Sequence, residues 1–305
     1  MSRSALLAAL EDRVLLGDGA MGTQLQRAGL EPGGCGEAWN LDHPERILAI
    51  QRAYVEAGSE CLLTNTFGAC RIMLERHDEG GRVDAINRAA VAIAREAFGR
   101  RGGFVIGDIG PFGGLMEPYG EIARDRVEQA FREQARALVS AGADAIIIET
   151  QTALEELEIG ILAAREAGAP VVIGSIAYDR LLDGEEVRTM MGVSPEQGAR
   201  FMVGHGADIL GLNCGTGIDM AMAADVVRRY RSVSALPVIA QPNAGQPELV
   251  DFKVVYRQTP DEMTAGLPEL LRAGVNIVGG CCGSTPAHIR RLKDALATAR
   301  LVEGR

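Results

Sequence analysis

The stretch that decides the fold is AIIIETQTALEELEIGILAAREAGAPVVIGS, residues 145–175. Its two ends are short runs of β-branched and apolar residues without polar alternation, which is the pattern of strands buried on both faces. Residues 154–167 between them have the spacing of an amphipathic helix, and Gly168 follows as an αL cap would. The stretch therefore predicts a βαβ unit with two parallel strands.

The same alternation recurs along the chain. Eight apolar runs are interpreted as strands: residues 14–17, 61–65, 104–107, 145–149, 171–175, 209–213, 238–241 and 276–279. Amphipathic stretches lie between several of them, at residues 44–57, 83–98, 123–141, 154–167 and 195–205. Eight parallel strands with helical crossovers close well into a ring, so we expect an α/β protein with one domain over residues 1–305, a (β/α)8 TIM barrel. A doubly wound open sheet is the alternative, weakened because no GxGxxG turn follows the first strand.

Composition narrows the function classes. The chain has 305 residues, 47% hydrophobic and 24% charged, with a formal net charge of −10, which is typical of a soluble globular protein. The acidic balance argues against a nucleic-acid or anionic-membrane partner. No apolar run approaches the roughly 18 residues of a membrane helix, and Glu11, Asp12 and Arg13 interrupt the first apolar stretch. We expect a cytoplasmic enzyme with no membrane partner.

Three of the six cysteines fall where a barrel carries its chemistry. The C-terminal ends of the strands form the site of such barrels, and Cys214 follows the sixth predicted strand while Cys281 and Cys282 follow the eighth. Three thiolates at one rim suit zinc and leave a fourth position open, as in a catalytic site. The alternative, that cysteines are small buried hydrophobes, is what we expect for Cys35, Cys61 and Cys70.

Other polar residues follow the strands. They are Asp18, Asn65, Thr66, Asp108, Glu149, Asn213 and Asn243. The four histidines fall on helices or loops, so a histidine general base is not expected. Glycine-rich residues 17–23 and 279–284 could present backbone N–H groups to an anion, so a phosphate-binding lyase or isomerase is a rival hypothesis. A non-catalytic subunit that holds zinc structurally is another, although no fourth ligand is evident.

Seven segments together carry a resemblance to a known family. They are GDGAMGTQLQ (17–26), LTNTFGACR (63–71), DIGPFG (108–113), DAIIIET (144–150), LGLNCGTG (210–217), PNAGQPEL (242–249) and GGCCGSTPAHI (279–289). From about residue 10 to 300 the chain resembles the homocysteine S-methyltransferase family (EC 2.1.1.-). Its motifs are most similar to the homocysteine-binding domain of cobalamin-dependent methionine synthase.

The resemblance implies a (β/α)8 barrel with one Zn2+ bound by Cys214, Cys281 and Cys282. These cysteines would be catalytic, because they would activate the thiol of L-homocysteine as a zinc thiolate for methylation to methionine. Asp18 and Glu149 match the acids that hold the substrate ammonium. The backbone of Gly19, Ala20 and Met21 would receive the carboxylate, and Asn213 would lie beside the metal.

The resemblance also bears on the methyl donor. It favours methylcobalamin on a separate corrinoid protein, since the sequence contains no cobalamin domain of its own. S-methylmethionine or betaine is the alternative donor, and another thiol or a selenol could be the acceptor. The glycine-rich loop of residues 33–39 is interpreted either as a lid over the site or as an ordinary surface loop.

Overall fold

A computed structural model describes residues 4–181, 186–250 and 253–303 of the protein. The strands are β1 (Leu15–Leu16), β2 (Cys61–Leu63), β3 (Phe104–Ile109), β4 (Ala145–Gln151), β5 (Val172–Ile176), β6 (Asp179–Arg180), β7 (Val187–Arg188), β8 (Ile209–Asn213), β9 (Val238–Gln241), β10 (Pro247–Val250), β11 (Lys253–Tyr256) and β12 (Ile277–Val278). The α-helices are α1 (Ala5–Asp12), α2 (Gly22–Arg27), α3 (Trp39–Asp42), α4 (Pro44–Ala57), α5 (Arg71–Leu74), α6 (Val83–Phe98), α7 (Arg124–Ser140), α8 (Leu154–Glu166), α9 (Pro195–Gly204), α10 (Met220–Arg231), α11 (Pro260–Thr264), α12 (Leu267–Arg272) and α13 (Pro286–Glu303). Short 3-10 helices lie at Glu75–His77, Gly80–Arg82 and Gly99–Arg101.

Eight strands form one parallel sheet in the order β1-β12-β9-β8-β5-β4-β3-β2. Its two end strands lie side by side, because the amide of Glu60, just before β2, donates to the carbonyl of Leu16 in β1 at 2.7 Å. The sheet is therefore a nearly closed ring surrounded by helices. The predicted (β/α)8 barrel is confirmed, and the open-sheet alternative is not.

Both faces of the barrel strands are buried, which is why their sequences lack polar alternation. Ile147, Ile173 and Ile209 belong to a fully buried cluster inside the ring, whereas Ile146 and Leu210 pack outward against helices. Helix α1 contributes Leu6 and Leu10 to the inner cluster. The carbonyl of Leu10 accepts a hydrogen bond from the side chain of Asn276, which precedes β12, so α1 covers the end of the ring where strands begin.

The predicted elements agree closely with the structure. Helices α4, α6, α7, α8 and α9 end within one residue of the predicted bounds, and the barrel strands within two. Helix α1 and the hairpins β6–β7 and β10–β11 were not predicted; the hairpins follow β5 and β9, on the side where the strands end. Across the described ranges, no helix combines the length and the apolar character needed to cross a bilayer.

Candidate active site

The three cysteines expected at the rim come together in the structure. Cys214 follows β8, and Cys281 and Cys282 follow β12, with one strand, β9, between them. Their Sγ atoms all lie within 4.8 Å of one another, and each residue is partly exposed. Sulfur atoms this close could ligate one thiophilic metal ion, since Zn–S bonds are about 2.3 Å long.

The backbone around Cys214 turns sharply to present its thiol. Cys214 and Gly215 both have left-handed φ angles, +54° and +81°. A Cβ atom on residue 215 would overlap the carbonyl oxygen of Tyr178, so this tight turn requires glycine. The amide of Cys214 donates to the carbonyl of Gln241 at 3.2 Å, which ties the turn to β9.

The thiols polarise one another. Hydrogen bonds from Cys281 and Cys282 lower the pKa of Cys214 far below that of a free thiol. The same contacts raise the pKa of Cys281 and of Cys282. One thiolate stabilised by two thiols is a soft donor set that suits zinc, which displaces the remaining protons when it binds.

Tyr256 is a neighbour of the thiols that the sequence did not indicate. It ends β11, and its side chain is hydrogen-bonded with Cys282. A Cβ on residue 283 would overlap Tyr256, so Gly283 allows the hairpin β10–β11 to fold close over the cysteines. Residues 253–256, Lys-Val-Val-Tyr, are typical of a short strand, and nothing in them points to the thiols.

A cavity of about 300 Å³ lies beside the cysteines. It is lined by the three thiols and by four carboxyl groups, Asp18, Glu37, Asp108 and Glu149. Among the described residues that line it, none is lysine, arginine or histidine. Such a cavity is suited to a cationic ligand, because a cation would relieve the repulsion between the carboxylates.

Burial raises the pKa of three carboxyl groups in this wall, those of Asp18, Asp108 and Glu149. The pKa of Asp18 is raised to about 7 by desolvation, although its Oδ2 accepts a hydrogen bond from the amide of Leu63 at 2.8 Å. The pKa of Glu149 is raised to about 8 by desolvation and by the charges of Asp18 and Cys214. The pKa of Asp108 is also raised, by desolvation and then by Glu149 and Asp18.

Several buried polar atoms in the cavity wall lack partners. The Oγ1 of Thr23, Oδ1 of Asp108 and Oε1 of Gln241 have no hydrogen-bond partner among the residues that the structure describes. Buried polar atoms are ordinarily satisfied. A polar ligand in the cavity could supply partners for these atoms.

The turn Gly19, Ala20 and Met21 forms another part of the wall. The amide of Ala20 is already occupied, because it donates to Ser284 Oγ at 3.0 Å. A Cβ on residue 19 would lie 2.7 Å from the same Oγ, so glycine allows this close approach. Within the described residues, the amides of Gly19 and Met21 have no backbone or side-chain acceptor.

Asn213 is buried and does not line the cavity. Its side chain instead binds Thr150, the residue after Glu149, through two hydrogen bonds, and accepts a third from Ser175 Oγ at 2.7 Å. Asn243 lies closer to the thiol cluster, since its side chain hydrogen-bonds Cys214 and donates to the carbonyl of Gly215 at 3.1 Å.

The loop of residues 33–39 is fastened to the end of β2. Asn65 donates to the carbonyl of Gly36 at 2.9 Å, and the amide of Gly68 donates to Glu37 Oε1 at 2.8 Å. The loop thus forms a wall of the cavity and contributes Glu37, which the sequence did not indicate. Cys61 and Cys70 are buried in the core, and Cys35 packs partly buried against a small apolar cluster.

In the glycine-rich segment after β12, three of the backbone N–H groups that an anion could use already have acceptors. The amides of Gly279, Gly280 and Cys281 donate to the carbonyls of Ala240, Asp18 and Pro242. These donors are therefore occupied, and the four carboxyl groups nearby would repel phosphate.

Comparisons with known proteins identify the family of the chain. A profile of the family "Homocysteine S-methyltransferase" matches residues 15–296. The methionine synthases of Mycobacterium tuberculosis and Mycobacterium leprae are 35% and 32% identical over 98% and 96% of this chain. The chain spans only about a quarter of the length of those two proteins, 26% and 25%.

The barrel also resembles a solved structure. The metallated form of the homocysteine methyltransferase MmuM from Escherichia coli has a TM-score of 0.76 with 23% identity, over 95% of this chain and 99% of that one. At that identity the likeness concerns the fold. The family profile, which covers nearly the whole chain, confirms the family and the class of enzyme that the motifs predict: the chain belongs to the homocysteine S-methyltransferase family.

Proposed function

We propose that the protein methylates the thiol of L-homocysteine to form methionine, with one Zn2+ held by Cys214, Cys281 and Cys282. The observation that carries this proposal is the position of three clustered thiols beside a cavity lined by carboxyl groups. Such a site would bind sulfur at one end and an ammonium group at the other. Homocysteine carries both groups on one short chain.

Three cysteine sulfurs are a better ligand set for zinc than for a hard cation, and they leave one coordination position open. When bound, zinc supplies a Lewis acid that lowers the pKa of a thiol at the open position. The chain provides no histidine in the cavity wall among the described residues, so the thiol proton leaves to solvent rather than to a histidine base. Sulfur then forms its new bond to the methyl carbon, and the donor departs with the electron pair of the broken bond.

The remaining wall would orient the amino-acid end of the substrate. We assign the ammonium to Asp18 and Glu149, whose buried carboxylates gain a counter-ion when it binds. The carboxylate would be received by the turn at Gly19, Ala20 and Met21. Since the amide of Ala20 already donates to Ser284, the amides of Gly19 and Met21 are the donors available there. Asn213 would act through Thr150 rather than by touching the substrate.

We further propose that the donor is methylcobalamin on a separate corrinoid protein. Nearly all the exposed large apolar side chains that the structure describes lie on loops or on the hairpin β10–β11 at the cavity side of the barrel; Leu162 and Val203, on helices, are the exceptions. We call this set the apolar rim: Phe67, Leu115, Tyr119, Leu181, Met190, Met191, Leu249, Val250 and Val254. A cavity of about 300 Å³ is too small to enclose a corrin ring, so such a donor would have to approach across the rim. Apolar surface at this position supports docking of a protein.

One observation favours a second donor. Four carboxyl groups without a basic neighbour would also attract a small cationic donor, and S-methylmethionine carries a sulfonium charge. Betaine, a quaternary ammonium, is the other cationic alternative.

For the location we propose the cytoplasm, because free thiols persist in a reducing compartment.

The test is methyl transfer by reduced protein loaded with zinc. L-homocysteine is supplied with methylcobalamin, S-methylmethionine or betaine, and methionine is measured by mass spectrometry. We expect methionine from at least one donor, with zinc and activity both lost in Cys282→Ser. Cys35→Ser is the matched control and should keep both, because Cys35 lies outside the thiol cluster. Methionine formation that survives complete removal of zinc would contradict the proposal.

A further inference from the structure

We propose that Asp108 is a third acceptor for the substrate ammonium and that it makes the site selective for thiols bearing a primary amine. The inference rests on the proposed function and names a further specificity-determining residue of that site. It depends on where Asp108 lies, on its unpartnered oxygen and on the number of donors in an ammonium group.

The backbone of Asp108 is held in place from three sides. Its amide donates to Thr64 Oγ1 at 3.0 Å. Its carbonyl accepts from Thr66 Oγ1 at 2.7 Å and from Gln134 Nε2 at 3.2 Å. These contacts satisfy the main chain, so the side chain is left to line the cavity together with Asp18 and Glu149.

One oxygen of the Asp108 carboxyl group, Oδ1, is buried without a partner among the described residues. The residue as a whole is 4% exposed. A buried acceptor in this state loses its hydration and gains nothing from the protein. A ligand that donates a hydrogen bond at this point would remove that cost.

A primary ammonium has three N–H donors, and three of the four carboxyl groups that line the cavity lie at the ends of barrel strands. The fourth, Glu37, lies on a loop and already accepts a hydrogen bond from the amide of Gly68. Asp18 follows β1, Asp108 lies in β3 and Glu149 lies in β4. Asp18 uses Oδ2 for the amide of Leu63, which leaves its Oδ1 for a ligand. With Asp108 included, each N–H group of the ammonium can have its own carboxylate. A thiol that lacks the amine would leave Asp108 unpartnered.

The experiment compares two thiols on zinc-loaded protein by calorimetry. One is L-homocysteine, and the other is 4-mercaptobutanoate, which is the same chain without the amine. In Asp108→Asn we expect the Kd of homocysteine to rise by about 10- to 100-fold, the usual effect of losing a charged hydrogen bond. The Kd of 4-mercaptobutanoate should stay within about twofold, because its binding never used this carboxylate.

Glu156→Gln is the matched control, since it exchanges a buried carboxyl for an amide outside the cavity wall. It should leave both affinities unchanged. Asp108→Ser serves as a second variant, and zinc content and thermal unfolding establish that each variant is folded and loaded. An unaltered preference for homocysteine in both Asp108 variants would overturn the inference and leave thiol methylation standing. Failure of the wild type to bind either thiol would overturn the proposed function and the inference with it.

Discussion

Asn213 and Thr150 are joined by two hydrogen bonds between neighbouring regions of the barrel rim. The amide of Thr150 donates to Asn213 Oδ1 at 3.0 Å, and Asn213 Nδ2 donates to Thr150 Oγ1 at 2.7 Å. Thr150 has a φ of +57° and follows Glu149, while Cys214, with a φ of +54°, follows Asn213. Left-handed angles cost free energy in residues other than glycine, and the hydrogen bonds help to offset that cost. One side chain thus fixes the segments that carry a carboxyl group and a thiol.

Replacing this side chain should weaken metal and substrate binding together. In Asn213→Ala we expect zinc affinity and homocysteine affinity each to fall about tenfold or more, the range seen when partners of metal ligands are removed. Competition with a chromogenic chelator measures the first, and calorimetry the second. Ser175→Ala is the control, because it removes only one hydrogen bond to Asn213 and should have a smaller effect. Normal zinc affinity in Asn213→Ala would show that Thr150 and Cys214 hold their conformations unaided.

The turn at residue 215 should tolerate no side chain. In Gly215→Ala the new methyl group would overlap the carbonyl of Tyr178, so the backbone must move and carry Cys214 away from the other thiols. We expect zinc retention during dialysis against a chelator to fall strongly, while far-ultraviolet circular dichroism stays normal. Gly168→Ala is the matched control: its φ is +80°, but open space surrounds the new methyl group. It should cost about 1 kcal/mol of unfolding free energy and no zinc.

The buried carboxyl of Glu156 should make stability depend on pH. Burial raises the pKa of Glu156 to about 7 from an ordinary value of 4.5, although the carboxylate accepts a hydrogen bond from the amide of Phe112 at 2.8 Å. Between these two values the folded protein keeps a proton that the unfolded chain releases, so the free energy of unfolding falls as pH rises and levels off above about pH 7.

In Glu156→Gln the decrease in the free energy of unfolding between pH 4.5 and 8 should be smaller than in the wild type, by up to about 3 kcal/mol. Urea unfolding at both pH values measures the difference. Glu155→Gln, an exposed neighbour on the same helix, should behave as the wild type does. The Glu156→Gln variant should still lose some stability as pH rises, because burial also raises the pKa of Asp18 and of Glu149. An identical pH profile in Glu156→Gln and the wild type would contradict the assignment.

Substitutions in the apolar rim should slow methyl transfer from a protein donor and leave the rate with a small-molecule donor unchanged. Leu249 and Val254 face each other across the hairpin β10–β11 and are 73% and 57% exposed. Replacing both with serine should lower methyl transfer from a corrinoid protein about tenfold through loss of apolar contact, with transfer from S-methylmethionine unchanged. Leu162→Ser, on the outer surface of α8, is the control and should affect neither rate. Equal losses with both donors would indicate damage to the site rather than to docking.

The thiol cluster could be predicted from sequence because it depends on strand ends. Parallel strands of a barrel present their C-terminal ends at one rim, so locating β8 and β12 was enough to bring Cys214 near Cys281. Tyr256, Thr150 and Glu37 could not be found in this way. Tyr256 reaches the thiols from the hairpin β10–β11, whose position over the rim is a tertiary contact, and Thr150 matters through a backbone angle that no periodicity encodes. Glu37 enters from a loop whose path is fixed by distant hydrogen bonds.

Helix α1 gives the barrel a floor. Leu6 and Leu10 pack beneath the inner apolar layer, so the cavity lies in a cup whose open side faces the rim. Substrate and product then enter and leave through the same opening of the cavity. If the donor is a protein, as proposed, it would cover this entrance when it docks. We then expect the acceptor to enter first, the donor to dock second, and methionine to leave only after the donor has departed. Steady-state kinetics with a protein donor should therefore be ordered. Excess donor should inhibit, because it would dock on protein whose cavity does not yet hold the acceptor.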